Sequence, residues 1–109
     1  GGDEFVTSDP VTHGSRTGKC LFSNGLLIQW GETSVTPTAA NTPTAKAVSF
    51  STTYTDNPIV MVTMLSTAPG TSVTGIAAGS ISTTSFNAYV TRTNTTSTTV
   101  MWVAIGYKA

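Results

Sequence analysis

Asn24-Gly25, set between two apolar runs, constrains this chain more than any other pair of residues. Asn-Gly flanked by apolar segments is the strongest short-range signal of a β-hairpin, because both residues tolerate the positive φ of a type I′ turn. Lys19 to Ser23 supplies the incoming arm and Leu26 to Trp30 the outgoing one. A two-residue turn pairs Ser23 with Leu26, Phe22 with Leu27 and Leu21 with Ile28, and cross-strand partners share a face. That register gathers Leu21, Leu26, Ile28 and Trp30 on one side and Cys20, Phe22 and Leu27 on the other. Both sides are apolar, whereas a strand of a small antiparallel sheet ordinarily keeps one face wet. Something must cover each side.

Further along, the same strand-like patterning recurs. Ala47 to Phe50 reads as a short strand, and Thr55-Asp56-Asn57-Pro58 as a turn in which the proline pushes Asn57 toward an extended shape. Ile59 to Leu65 is a strand with Ile59, Met61 and Leu65 on one face and Val60, Val62 and Met64 on the other. Pro69-Gly70 marks a turn, and Val73 to Ser80 is a strand of small residues that permits close approach of a partner or ligand. Thr84 to Arg92 alternates, Phe86, Ala88 and Val90 against Asn87, Tyr89 and Thr91, and Val100 to Tyr107 is again apolar on both faces. No segment holds a helical period for three turns. Close strand spacing with Gly, Pro and Asn punctuation predicts an all-β, antiparallel β-sandwich of about six or seven strands. Thr33 to Ala45, rich in Pro, Thr and Ala, reads as a loop without structure of its own. Gly1 to Gly18 has no sustained period, so the expected organisation is an arm or linker over 1–18 and one sandwich domain over 19–109.

Charged residues are only 9% of the 109-residue chain, five acids balancing five bases. A neutral, charge-poor surface argues against nucleic acid, whose phosphates reward a basic patch, and against an anionic membrane surface. No apolar run approaches the roughly 20 residues of a membrane span, and no secretory signal is visible. Cys20 is the single cysteine and reads as a small core residue.

The surplus of two-sided strands decides the reading. In a two-layer sandwich each sheet has one face in the core and one outside, yet Leu26 to Trp30, Ile59 to Leu65 and Val100 to Tyr107 offer apolar side chains outward as well. A monomer seldom exposes an apolar patch above a few hundred Å². These strands are therefore expected in one sheet whose outer face is buried against sister subunits in a closed cyclic assembly. The alternative is that the Thr33 to Ala45 loop and the N-terminal arm cover that face.

Candidate chemistry is thin. Gly1-Gly2-Asp3-Glu4-Phe5 spells the signature of the diguanylate cyclases, but no βα alternation follows it and the match reads as accidental. His13 is the single histidine and falls in the arm, so no Ser-His-Asp or Cys-His pair can be built around the sandwich. Metal binding wants three or four ligands, which a single chain does not offer; the exception is a trimer axis that gathers three copies of His13. Glycoside cleavage needs two opposed carboxyls, which Glu32 and Asp56 supply only if folding or a neighbouring subunit brings them together; Asp56 reads more simply as a turn residue. The expectation is no enzyme, no metal and no cofactor. Asn94-Thr95-Thr96 fits a glycosylation sequon and reads as a turn. A ligand site is expected where polar loops meet the small-residue strand: Arg92 can fork onto a hydroxyl or carboxylate, Tyr89 offers a ring and a hydroxyl to a sugar, and Asn94 an amide donor and acceptor.

Asn24-Gly25-Leu26-Leu27-Ile28-Gln29-Trp30-Gly31 resembles the hairpin motif that opens the C-terminal domain of phage and prophage tail fibres. Val48-Ser49-Phe50, the Tyr54 to Val62 stretch with Asn57-Pro58, and Trp102-Val103-Ala104-Ile105-Gly106 are similar to the rest of that pattern, over roughly Lys19 to Tyr107. Members are similar in architecture to the H-type lectins, six-stranded sandwiches that assemble as trimers and bind N-acetylgalactosamine. The resemblance implies a homotrimeric module on a virion tail, acting outside the cell on a bacterial surface glycan or protein receptor. Aligned on Phe86 and Trp102, the arginine of the snail lectins falls near Ala77 and their Trp-His pair near Thr93-Asn94, so those sugar ligands have no match here. Two function classes follow: a receptor-binding tip, and a structural cap that holds three chains in register and recognises nothing.

Overall fold

The computed structural model describes residues 12–13 and 16–109. The Gly1 to Phe5 motif, most of the expected arm and the His13 side chain lie outside the described residues. The described residues form eight strands and no helix: β1 (Thr12–His13), β2 (Gly18–Leu21), β3 (Leu26–Val35), β4 (Thr44–Ser49), β5 (Ile59–Leu65), β6 (Val73–Gly79), β7 (Ser85–Arg92) and β8 (Thr98–Tyr107). They make two antiparallel sheets, ordered β1-β2-β3-β8-β5 and β4-β7-β6. The all-β sandwich expected from the sequence is thus the fold, and two residues of the segment read as an arm pair with β2 as a short edge strand.

The hairpin departs from its expected register. Leu21 pairs with Leu27 and Cys20 with Ile28, one step from the two-residue arrangement. Gly25 N–H donates to the Phe22 carbonyl at 2.9 Å and Phe22 N–H to the Leu26 carbonyl at 2.8 Å. Among turn residues only Gly25 has a positive φ, 94°, while Asn24 does not. This is a type I turn closed by a glycine bulge, the three-residue alternative to the type I′ turn. The Asn24 side chain instead accepts from Leu26 N–H at 3.0 Å. A one-residue slip exchanges the faces, so Leu21 joins Leu27 in the core rather than Ile28 and Trp30 outside.

β3 also runs further than expected. Thr33, Ser34 and Val35 pair with Val100, Thr99 and Thr98, extending the β3–β8 ladder to ten residue pairs. The loop that remains, residues 36–43, does not cross the apolar face. Asn41 N–H donates to the Arg92 carbonyl at 2.6 Å, which holds the loop at the β7 end.

Between the sheets lies an aromatic core. Phe50 meets Tyr54 edge-on at 5.2 Å between centroids, stacks on Phe86 at 5.7 Å and lies 5.9 Å from Trp102, which meets Phe86 edge-on at 5.4 Å. Such offset and edge-on pairs are the favoured ring geometries. Leu27, Val35, Val73, Val90, Val100 and Ala104 fill the space around them. Gly31 and Gly106 face inward opposite bulky rings: a Cβ at Gly31 would lie 3.0 Å from the Trp102 indole, and one at Gly106 2.8 Å from Tyr54 Cδ1. At Gly106 a larger residue would force the tyrosine ring to shift, and at Gly31 the indole would have to give by a few tenths of an ångström.

Among the described residues two polar side chains are buried, Gln29 and Thr98. Gln29 is 1% exposed. Its Nε2 donates to the Thr52 carbonyl at 3.0 Å, and its Oε1 accepts from Ser51 Oγ at 3.0 Å and Thr52 N–H at 3.1 Å. A buried amide must find such partners or cost the fold dearly. By finding them it ties β3 to the segment that carries Phe50 and Tyr54.

Candidate functional site

Alternation and register together define the outer face of the larger sheet. Ile28, Ile105 and Ile59 form one row across β3, β8 and β5, and Trp30, Val103 and Met61 the next. In the single chain Ile59, Met61, Leu65 and Tyr107 are 68%, 53%, 57% and 58% exposed. Neither the 36–43 loop nor β1 covers them. The expected apolar outer face is therefore present and open among the described residues. An open groove of about 470 Å³ runs over it, lined by Trp30, Met61, Met101, Val103 and Arg16.

Arg16 rims this groove, a contact the sequence did not signal. Its Nε donates to Glu32 Oε2 at 2.6 Å and its Nη2 approaches Met101 Sδ at 2.9 Å. Both partners are partly solvated, so the pair adds little to stability. It does place a fixed polar rim beside the apolar rows.

The three residues expected at a ligand site fall in two places. Arg92 and Asn94 come together at the β7 end: Arg92 Nε donates to Asn94 Oδ1 at 2.9 Å and Nη1 to Thr98 Oγ1 at 2.6 Å, while Asn94 Oδ1 also accepts from Thr96 N–H at 3.1 Å. These bonds brace the β7–β8 loop. Tyr89 is elsewhere, on the outer face of the β4-β7-β6 sheet, with Ala45 and Ala77 as cross-strand neighbours. Its hydroxyl lies 3.2 Å from Ser80 Oγ and 3.5 Å from Asn87 Nδ2. Those two hydrogen bonds, Ser80 first and Asn87 second, lower the pKa of the phenol from its ordinary value against a small opposing effect of burial. Alternation already placed Asn87 and Tyr89 on one face; Ser80 joins them only through the β6–β7 pairing. No group of three or more metal-ligating side chains occurs among the described residues.

With this geometry in hand, the family model described as gp53-like tail fiber protein, C-terminal, matches residues 20–107. The chain belongs to the gp53-like tail fibre C-terminal domain family. No curated protein matches it. Solved structures similar to this tail fibre domain include an N-truncated R1-type pyocin tail fiber, with a TM-score of 0.68 and 18% identity over 91% of this chain and 87% of that one. An N-truncated R2-type pyocin tail fiber gives 0.71 and 17% over 93% of this chain and 39% of that one. The R2 pyocin fiber of P. aeruginosa gives 0.67 and 19% over 90% and 26%. The tail fibre domain thus spans most of the first structure and well under half of the other two. These likenesses carry the fold, and the family a place in the tail of a phage or phage-like particle.

Proposed function

We propose that the domain works as a homotrimer in a particle's tail fibre, attaching it from outside to a bacterial surface receptor, a glycan in the first instance, without catalysing a reaction. The observation that carries the trimer is the outer face of β3-β8-β5, where, among the described residues, Ile59 and Met61 stand exposed at the β5 ends of two apolar rows whose other members, Ile28, Ile105, Trp30 and Val103, are half-buried. Contiguous apolar patches of that kind mark interfaces, and a closed ring of three turns all such faces toward one axis.

Sedimentation equilibrium of the 109-residue chain tests the assembly. Three times the 11.2 kDa chain mass is expected; a stable monomer at micromolar concentration overturns it. Attachment is tested separately, by retention of the labelled chain on an array of bacterial surface glycans. Selective retention supports the receptor-binding tip. A trimer that is retained nowhere, on glycans or on whole bacteria, makes the domain a structural cap.

A further inference from the structure

We propose that the outer face of the β4-β7-β6 sheet is a binding surface for a neutral hexopyranose, with the Tyr89 ring as stacking platform and the Asn87 amide and Ser80 hydroxyl as its polar contacts. The inference rests on the attachment reading above and says which surface performs it.

Two cross-strand rows build the surface. Ala45, Tyr89 and Ala77 form one; Ala47, Asn87 and Gly79 the other. Apart from Tyr89, every side chain in these rows is small or an amide, so a single ring rises from a low floor. That ring leans across onto β6. A Cβ at Gly79 would lie 2.9 Å from Tyr89 Cε2, 3.5 Å from Cδ2 and 3.8 Å from Cζ, so the ring edge occupies space that any other residue would fill.

The hydroxyl is held at the same time. Ser80 Oγ at 3.2 Å and Asn87 Nδ2 at 3.5 Å fix its position, and a ring fixed before binding loses little rotamer freedom when a ligand arrives. A pyranose presents an apolar C–H face to such a ring and hydroxyls around its edge. The Asn87 amide retains an acceptor oxygen, and a hydroxyl can donate or accept.

Charge selects the class of ligand. Neither row contains an ionisable group other than the Tyr89 phenol, so a phosphate, sialic acid or basic peptide finds no counter-charge. A neutral, hydroxyl-rich molecule needs none. The face also lies on the opposite side of the sandwich from the apolar rows of β3, β8 and β5. Burial of those rows between subunits leaves the Tyr89 surface outside, in three copies.

Saturation-transfer NMR of the 109-residue chain against the methyl glycosides of glucose, galactose, mannose, N-acetylglucosamine and N-acetylgalactosamine tests the assignment. At least one glycoside is expected to receive saturation, and Tyr89→Ala to weaken its binding roughly tenfold. Gly79→Ala, which displaces the ring and keeps its chemistry, is expected to weaken binding as well, with unchanged circular dichroism. Arg92→Ala is expected to bind as the parent does. The proposal is overturned if no glycoside binds, if Tyr89→Ala binds as the parent does, or if only Arg92→Ala abolishes binding. Retention of Tyr89→Ala on glycans or bacteria at the parent level refutes this surface and leaves the attachment reading standing.

Discussion

Gln29 is the residue whose replacement tests the architecture most directly. Its amide makes three hydrogen bonds with Ser51 and Thr52 from a position 1% exposed. Gln29→Leu preserves volume and removes all three. At about 1 kcal/mol net for each, the loss comes to about 3 kcal/mol. Leucine returns part of this through apolar burial, and water can reach the half-buried Thr52, so a net destabilisation of about 2 kcal/mol is expected. For a domain of this size that lowers the melting temperature by roughly 10 °C. The assay is thermal unfolding followed by circular dichroism, parent and variant at the same chain concentration because any assembly makes the midpoint concentration-dependent. Gln29→Glu refines the test. It keeps both acceptor contacts, loses the donor to the Thr52 carbonyl, and buries a carboxylate whose pKa rises in the fold. Its deficit is therefore largest at neutral pH and shrinks as acid protonates the side chain. A loss below about 0.5 kcal/mol for Gln29→Leu refutes the view that this amide anchors the Phe50 to Tyr54 segment.

Gly106→Ala places a methyl 2.8 Å from Tyr54 Cδ1 and 3.3 Å from Pro58 Cβ, and denaturant titration should show a loss of about 2 kcal/mol from overpacking. The double variant Met61→Lys, Val103→Lys sets two cations in one row of the outer face and should sediment at the single-chain mass with its circular dichroism retained. Burial raises the Tyr54 phenol above its ordinary pKa of 10.0, hydrogen bonding with Gln29 opposing in part. The folded state therefore holds that proton more tightly, and stability should fall as pH rises from 10.0 through the higher folded value, measured by unfolding titrations across alkaline pH.

Much of this architecture was legible because strand alternation is a local property. Ile59 to Leu65 and the Phe86, Ala88, Val90 face could be read from period alone, and the structure places them as read. The hairpin register was not legible in the same way. Asn24-Gly25 is compatible with both the two-residue turn and the bulged one, and the choice rests on closure around Phe22 and Leu26. The extension of β3 to Val35 was hidden because Thr33 and Ser34 gain strand character from pairing with Thr99 and Val100, some sixty-five residues later. The candidate ligand residues divide for a related reason. Arg92 and Asn94 are close in sequence and so could be grouped, but the odd spacing between Tyr89 and Arg92 sends their side chains to opposite faces of β7. Ser80 could be joined to Tyr89 only once β6 and β7 were known neighbours. Arg16 fell in a segment without period, so nothing local announced its contact with Glu32.

The position of β8 has a consequence for how the molecule comes into being. It lies between β3 and β5, with Leu26 aligned on Tyr107 and Ile59 on Ile105, so the two halves of the larger sheet have no backbone contact without it. During synthesis β3 and β5 must wait, their edges toward β8 unfilled, until the ribosome has delivered residues 98–107. Pairing across such long sequence separations is slow, and the waiting chain exposes the edges and apolar surface that invite misassembly. A chain cut short before Thr98 lacks the strand that joins both halves of the apolar face.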